Sequence, residues 1–227
     1  MGKPDKPFDF ADPPSRIAFP LARAGYPFIF GSAFVTLVFA LLGMAGPAVL
    51  FLVLTAAICM FFRDPDRAVP TGEKIIVSPA DGRIVHAGKV EDCPYLEGPV
   101  LKVSIFMSVA NVHVNRFPVA GTVKEILYHP GRFINASLDK ASEHNERNAV
   151  IIATDDGPDI AVVQVAGLVA RRIITYIRPG DHLGRGQRFG LISFGSRVDC
   201  YLPPEAQCQV RIGDRVKGGT SVLGVMP

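Results

Sequence analysis

Between Arg23 and Arg63 the chain runs through 39 consecutive residues without a charged side chain, and the stretch from Phe28 to Phe62 is dense in Phe, Leu, Val and Ala. As a single helix that stretch would measure about 52 Å, against a hydrocarbon core of about 30 Å. Gly43, Gly46 and Pro47 fall near its middle. Proline removes a backbone donor and clashes with the preceding turn, so the pattern predicts two helices of about 15 to 17 residues, at the lower edge of spanning length. Arg16 and Arg23 precede the run, and Arg63 and Arg67 follow it. Basic flanks on both sides fit a membrane hairpin with both ends on the cytoplasmic side. A buried hairpin of a soluble protein would need a large partner surface, which the remaining residues barely supply.

After Thr71 the period changes. Short β-branched runs, Ile75 to Val77, Arg83 to His86, Leu101 to Val109, Val150 to Thr154 and Ile160 to Val165, are separated by Gly, Pro and Asp. They predict a mainly β domain over residues 71–227, preceded by a membrane-associating segment of residues 1–70. Leu101, Val103, Ile105, Met107 and Val109 alternate with Lys102, Ser104 and Ser108, after which the apolar positions switch parity to Val112 and Val114. The switch predicts a bulge near Ala110 and Asn111, with His113 and Asn115 on one face beyond it.

The domain also resembles itself. Pro79-Ala-Asp-Gly-Arg-Ile84 is similar to Pro118-Val-Ala-Gly-Thr-Val123, and Gly180-Asp-His-Leu-Gly-Arg-Gly186 is similar to Gly213-Asp-Arg-Val-Lys-Gly-Gly219. The second pair keeps Gly-Asp-x-aliphatic-x-x-Gly, which suggests repeated hairpins with glycines at positive-φ turns. Such halves resemble the barrel-sandwich hybrid fold of lipoyl and biotinyl carrier domains.

Composition narrows the function. Hydrophobic residues make up 48% of the 227 and charged ones 20%, which excludes intrinsic disorder. A net charge of +3 is too small a bias to argue for nucleic acid. The four cysteines show no C-x-x-C spacing, so neither a zinc site, nor any other metal site, nor a disulfide framework is expected.

The sharpest local candidate for chemistry is Phe194-Gly195-Ser196-Arg197-Val198-Asp199, where a Gly-Ser bond interrupts an apolar stretch from Phe189 to Leu202. Glycine can present its carbonyl to the next hydroxyl in a conformation other residues avoid, although Gly-Ser is also a common turn dipeptide. Asp81 sits in a Pro-Ala-Asp-Gly turn, where it either closes an Asx turn or orients a histidine. His113 and His129, the latter in Tyr128-His-Pro-Gly131, are candidate general bases, since histidine titrates near neutrality. Asp139-Lys140-Ala141 matches the tripeptide around the modified lysine of lipoyl domains, which leaves a membrane-anchored lipoyl or biotinyl carrier modified on Lys140 as the alternative class. The polar run Ser142 to Asn148 after it is unlike a tight hairpin. Arg171-Arg172 could take a phosphate, but paired surface arginines are usually solvated.

Read together, these segments resemble the phosphatidylserine decarboxylase family, specifically its short bacterial proenzymes. The resemblance rests on Phe62-Arg-Asp-Pro65, Ser78-Pro-Ala-Asp-Gly82, Asn111-Val-His-Val-Asn-Arg-Phe-Pro118, Tyr128-His-Pro-Gly131, Asn135-Ala-Ser-Leu-Asp-Lys140, Asn145-Glu-Arg147, Gly167 to Arg172 and Phe189 to Pro203, in that order along almost the whole chain. It implies self-cleavage between Gly195 and Ser196 into a large chain, 1–195, and a small chain, 196–227, which stay together as a heterodimer that could itself dimerise. It further implies that Ser196 becomes a covalent pyruvoyl group, and that phosphatidylserine in the cell membrane is decarboxylated to phosphatidylethanolamine through a Schiff base. Asp81, His113 and Ser196 match the family's cleavage triad. One position departs: where larger members carry His-x-x-His, the second histidine is Arg116 here, so its role falls to His113 or to His129.

Overall fold

The computed structural model describes residues 8–9, 11–12, 15, 19–131, 145–155, 157–167, 172–193 and 195–227. Phe194, Lys140 with its neighbours, and Arg171 lie outside them. The chain divides into two compact units, Ser15–Asp66 and a larger one formed by Met1–Pro14 with Arg67–Pro227.

The smaller unit is a helical hairpin. A 3-10 turn at Arg23–Gly25 leads into α1 (Tyr26–Leu41), which a short connection joins to α2 (Ala45–Phe61). Two helices of 16 and 17 residues match the expected lengths, and of the three residues at the middle of the run the break falls at Gly43, not at Pro47. Gly43 has φ +71°, a left-handed conformation that costs glycine nothing. Pro47 falls in the first turn of α2, where its missing N–H would have had no intrahelical partner. Across the hairpin the Ser32 and Thr55 hydroxyls meet at 2.7 Å, and Phe39 stacks on Phe51. At its base Ala22 N–H donates to Phe62 O and Asp64 N–H to Pro20 O. Most of the large apolar side chains face outward, Phe30 at 69% exposure and Leu41 at 78%. Arg23–Leu41 is long and apolar enough to cross a membrane.

The larger unit is mainly β. Its strands are β1 (Phe8–Asp9), β2 (Val69–Pro70), β3 (Ile75–Val77), β4 (Gly82–Val90), β5 (Val100–Met107), β6 (Val114–Arg116), β7 (Gly121–His129) and β8 (Arg147–Thr154). They continue as β9 (Ile160–Val165), β10 (Ile173–Thr175), β11 (His182–Leu183), β12 (Arg188–Ile192), β13 (Ser196–Leu202), β14 (Gln207–Cys208), β15 (Arg215–Val216) and β16 (Val222–Val225). The largest sheet is antiparallel and open, in the order β11-β7-β8-β9-β13-β5-β4-β15. Two three-stranded sheets, β10-β12-β6 and β14-β16-β3, and the pair β1-β2 complete the unit. One face of the large sheet sends Ile105, Met107, Val150, Val162 and Val198 into the main core. The other face carries a smaller cluster around Val100, Val163, Val165 and Tyr201.

The repeats seen in the sequence fold alike. Short strand β11 pairs with the start of β7, and β15 pairs with the start of β4. Gly180, at φ +94°, donates to Val123 O, and Gly213, at φ +100°, donates to Ile84 O, both at 2.8 Å. Asp181 accepts from Arg178 N–H as Asp214 does from Arg211 N–H. Each long strand bulges just after this point, between Val123 and Glu125 and between Ile84 and His86.

The parity switch after Met107 is a turn, not the bulge the pattern suggests. Asn111 closes it, accepting from the Ser108 N–H and hydroxyl while its own N–H donates to Ser108 O. The chain thereby leaves the eight-stranded sheet on β5 and enters the three-stranded sheet on β6. A change of sheet resets which side chains point inward.

Candidate active site at the Gly195–Ser196 bond

Ser196 opens β13, a strand in the middle of the largest sheet. Its residues pair with β5 from Ser196↔Met107 to Leu202↔Leu101 and with β9 from Arg197↔Val165 to Tyr201↔Ala161. Every residue of the strand is buried. Gly195, immediately before it, has φ +60°, in the left-handed region where a side chain would be strained, and a Cβ built there would meet nothing within 4 Å. A left-handed glycine with open space at its Cβ position thus precedes a fully buried hydroxyl. The Ser196 hydroxyl donates to the Met107 thioether at 3.4 Å.

His113 is fully buried just before β6. Its backbone carbonyl accepts from Ile192 N–H, so it lies where β12 ends and the chain turns toward Ser196. Its Nδ1 is 2.9 Å from Asn111 O. A carbonyl only accepts, so Nδ1 carries a proton, and in the neutral ring Nε2 then keeps the lone pair a general base requires.

Asp81 reaches the same end of the sheet by another route. Arg83 and Arg197 both pair with Phe106, one on each side of β5, so Asp81 and Ser196 flank the end of β5 about two strand spacings, or 10 Å, apart. The Asp81 carboxylate accepts from Arg67 at 2.8 Å and from Gly218 N–H at 2.7 Å. Those partners do not include His113. Arg116 lies at the far end of β6 from His113, donates to Gly186 O and, through its backbone N–H, to Pro79 O. This ties β6 to the turn that holds Asp81.

His129 is not part of this cluster. It pairs with Arg147, which pairs with Val165, which pairs with Arg197. Directly opposite residues share a face, so His129 is on the face opposite to Ser196, about 14 Å away across three strand spacings. There it packs edge-on against Tyr95.

Cys200, four residues along β13 from Ser196, has its thiol pushed up to about 12 by burial and by Asp199, so it stays protonated. Among the described residues no group of three His, Cys, Asp or Glu could hold a metal ion.

Several polar residues near Ser196 were not singled out from the sequence. Asn115 donates to the same Met107 sulfur at 3.7 Å, and Gln164 donates to Asn115 at 2.8 Å. Asn148 and Thr175 in turn donate to Gln164. A trace was visible in the sequence, because Gln164 interrupts the otherwise apolar run Ile160 to Val165.

The model of the phosphatidylserine decarboxylase family matches residues 54–224. A phosphatidylserine decarboxylase proenzyme of Syntrophotalea carbinolica is 51% identical over 207 residues, which cover 91% of this chain and 97% of that protein. The proenzymes of Burkholderia mallei and Syntrophus aciditrophicus are 50% and 49% identical, over 91% and 90% of this chain and 95% and 96% of their own lengths. A match this extensive in family model and relatives, over residues that include Gly195 and the buried Ser196, places the chain in the phosphatidylserine decarboxylase family.

Proposed function

We propose that this chain is a self-processing, pyruvoyl-dependent decarboxylase that converts phosphatidylserine to phosphatidylethanolamine and carbon dioxide. The observation that carries the reading is the Gly195–Ser196 junction, a positive-φ glycine followed by a buried serine at the head of a central strand. His113 Nε2 takes the Ser196 hydroxyl proton, and Oγ attacks the Gly195 carbonyl carbon as the amide between the two residues breaks. The resulting ester eliminates, the Gly195 carboxylate leaving with Oγ. Water then releases ammonia and leaves a ketone at residue 196.

That pyruvoyl group would supply an electron sink for Schiff-base decarboxylation of the lipid amine. The residues around it fit this use. The site is buried, which strengthens electrostatic interactions, and His113 is a proton donor at the same end of the sheet for the carbon that loses carbon dioxide. Asp81, held by Arg67 and Gly218, fixes the turn that meets β6. Cleavage would produce chains 1–195 and 196–227 that remain one heterodimer, because β13 pairs on both edges and β14, β15 and β16 pair with neighbours in the same unit. The apolar helices α1 and α2 would anchor the chain in the membrane that holds the substrate, with the β unit on the cytoplasmic side.

The test is an intact-mass spectrum of purified, denatured protein. Two chains are expected, the smaller starting at residue 196 with a blocked, carbonyl-reactive terminus, and Ser196→Ala should leave one inactive chain. An active Ser196→Ala protein sinks the mechanism.

A further inference from the structure

We infer that Asn115 is the hydrogen-bond donor to Ser196 Oγ during self-cleavage, and that Gln164 aims it. The inference rests on the self-processing reading above.

The buried amides run in one direction. The Asn148 amide donates to Gln164 Oε1 at 3.2 Å, as the Thr175 hydroxyl does at 3.4 Å. Gln164 Nε2 donates to Asn115 Oδ1 at 2.8 Å, and Asn115 Nδ2 is left to donate to Met107 Sδ at 3.7 Å. Gln164 and Asn115 are fully buried. Because Gln164 presents a donor to Asn115, the Asn115 oxygen must face Gln164 and its nitrogen must face Met107. The polarity of the relay therefore points an N–H at the site. Gly190 gives it room: it pairs with Asn115 on one side and Thr175 on the other, and a Cβ there would come 2.9 Å from Gln164 Nε2 and 2.6 Å from Ile174 O.

The relay ends on a poor acceptor. A thioether accepts weakly, and here one sulfur receives both the Asn115 amide and the Ser196 hydroxyl. A buried carboxamide N–H spent this way has little to lose by turning to a stronger acceptor. Self-cleavage creates one beside it. When the base removes the Ser196 proton, Oγ changes from a competing donor on the sulfur into a charged acceptor. It carries negative charge again in the elimination, when the Cα proton is removed, the Cβ–Oγ bond breaks and the Gly195 carboxylate departs with Oγ. Preorganised donors aimed at developing charge are the largest single source of rate in such sites. Oγ leaves with the large chain and Ser196 Cβ becomes a methyl, so Asn115 is needed for maturation and not for turnover.

The test uses full-length chain made by cell-free synthesis with lipid vesicles, with maturation followed by time-resolved intact mass and folding by thermal melting. Asn115→Leu should fold with a lowered Tm, because the buried Gln164 Nε2 loses its acceptor, and should cleave about 10²- to 10³-fold more slowly, the usual loss for one such donor. Its matured fraction should decarboxylate phosphatidylserine at the wild-type kcat and KM. Should the leucine variant fail to fold, Asn115→Asp keeps the shape and the acceptor for Gln164 but puts an acceptor where the donor was; folded, it should stay uncleaved. Cleavage at the wild-type rate in either folded variant overturns the inference, and so does an unchanged maturation with a lowered kcat. A wild-type chain that never cleaves overturns the self-processing reading and this inference with it, whereas normal wild-type cleavage alongside normal Asn115→Leu cleavage overturns this inference alone.

Discussion

Asp199 lies three residues along β13 from Ser196, and removing its charge tests whether an ion pair holds the strand that presents Ser196. Arg197 and Asp199 are on the face of the sheet opposite to Ser196, at 1% and 0% exposure. Two contacts join them, Nε to Oδ1 at 2.8 Å and Nη2 to Oδ2 at 3.0 Å, and Lys102 adds a third charge at 3.6 Å. Assembling such a pair adds little net stability, because desolvation offsets the attraction, but taking the carboxylate from a buried guanidinium costs about 3–5 kcal/mol. Against a domain stability of about 5–15 kcal/mol, that is a large fraction. Asp199→Ala should therefore lower Tm by about 6–20 °C. The chain contains no Trp, so far-UV circular dichroism is the appropriate signal. The Ser196→Ala background keeps every sample a single chain. Replacing both partners, Arg197→Met with Asp199→Leu, should recover most of the loss, since paired apolar residues strand no charge. A drop in Tm below about 2 °C for Asp199→Ala, equivalent to under 1 kcal/mol, would mean that the ion pair does not hold the strand.

Three further outcomes are expected. Gly195→Ala should cost about 1–2 kcal/mol at this positive φ or force the peptide unit to another conformation, and in either case slow cleavage as read by intact mass; unchanged kinetics would show that cleavage does not need the left-handed Gly195 conformation. His113→Ala should slow cleavage by about 10²- to 10⁴-fold, the range for a positioned general base, and should abolish decarboxylation in whatever fraction matures; normal turnover there would move the proton-transfer role to another residue. Cys200, held as a thiol, should resist iodoacetamide at pH 8 in the native protein while exposed Cys208 is alkylated, as read by peptide mass. The folded state raises the Cys200 thiol from its ordinary 9.0 to about 12, so it binds that proton more tightly than the unfolded chain does. The associated stability is complete below pH 9 and declines as pH rises toward 12, and a melting temperature that rose over that interval would contradict it.

Features with a local cause were legible in the residues themselves. Uncharged length made the hairpin legible, although not which residue breaks it: a proline in the first turn of a helix is harmless, and only the backbone path shows that Gly43 takes the left-handed turn. The Gly-Asp repeats were legible because positive-φ turns demand glycine wherever they occur. The Gly195–Ser196 pair was visible as a polar interruption of an apolar stretch, and the family resemblance carried it further. Tertiary structure alone decided what stands beside it. His113 and His129 looked equivalent as isolated histidines, yet register places one at the turn toward Ser196 and the other across three strands on the opposite face. Asp81 was legible as a turn residue, while its bond to Arg67 depends on which loops meet. The Asn115–Gln164 relay joins β6 to β9 from different sheets, and residues 49 apart in sequence leave no periodic trace of their contact. Periodicity reports which face of a strand is buried; the long-range pairing of strands chooses what that face meets.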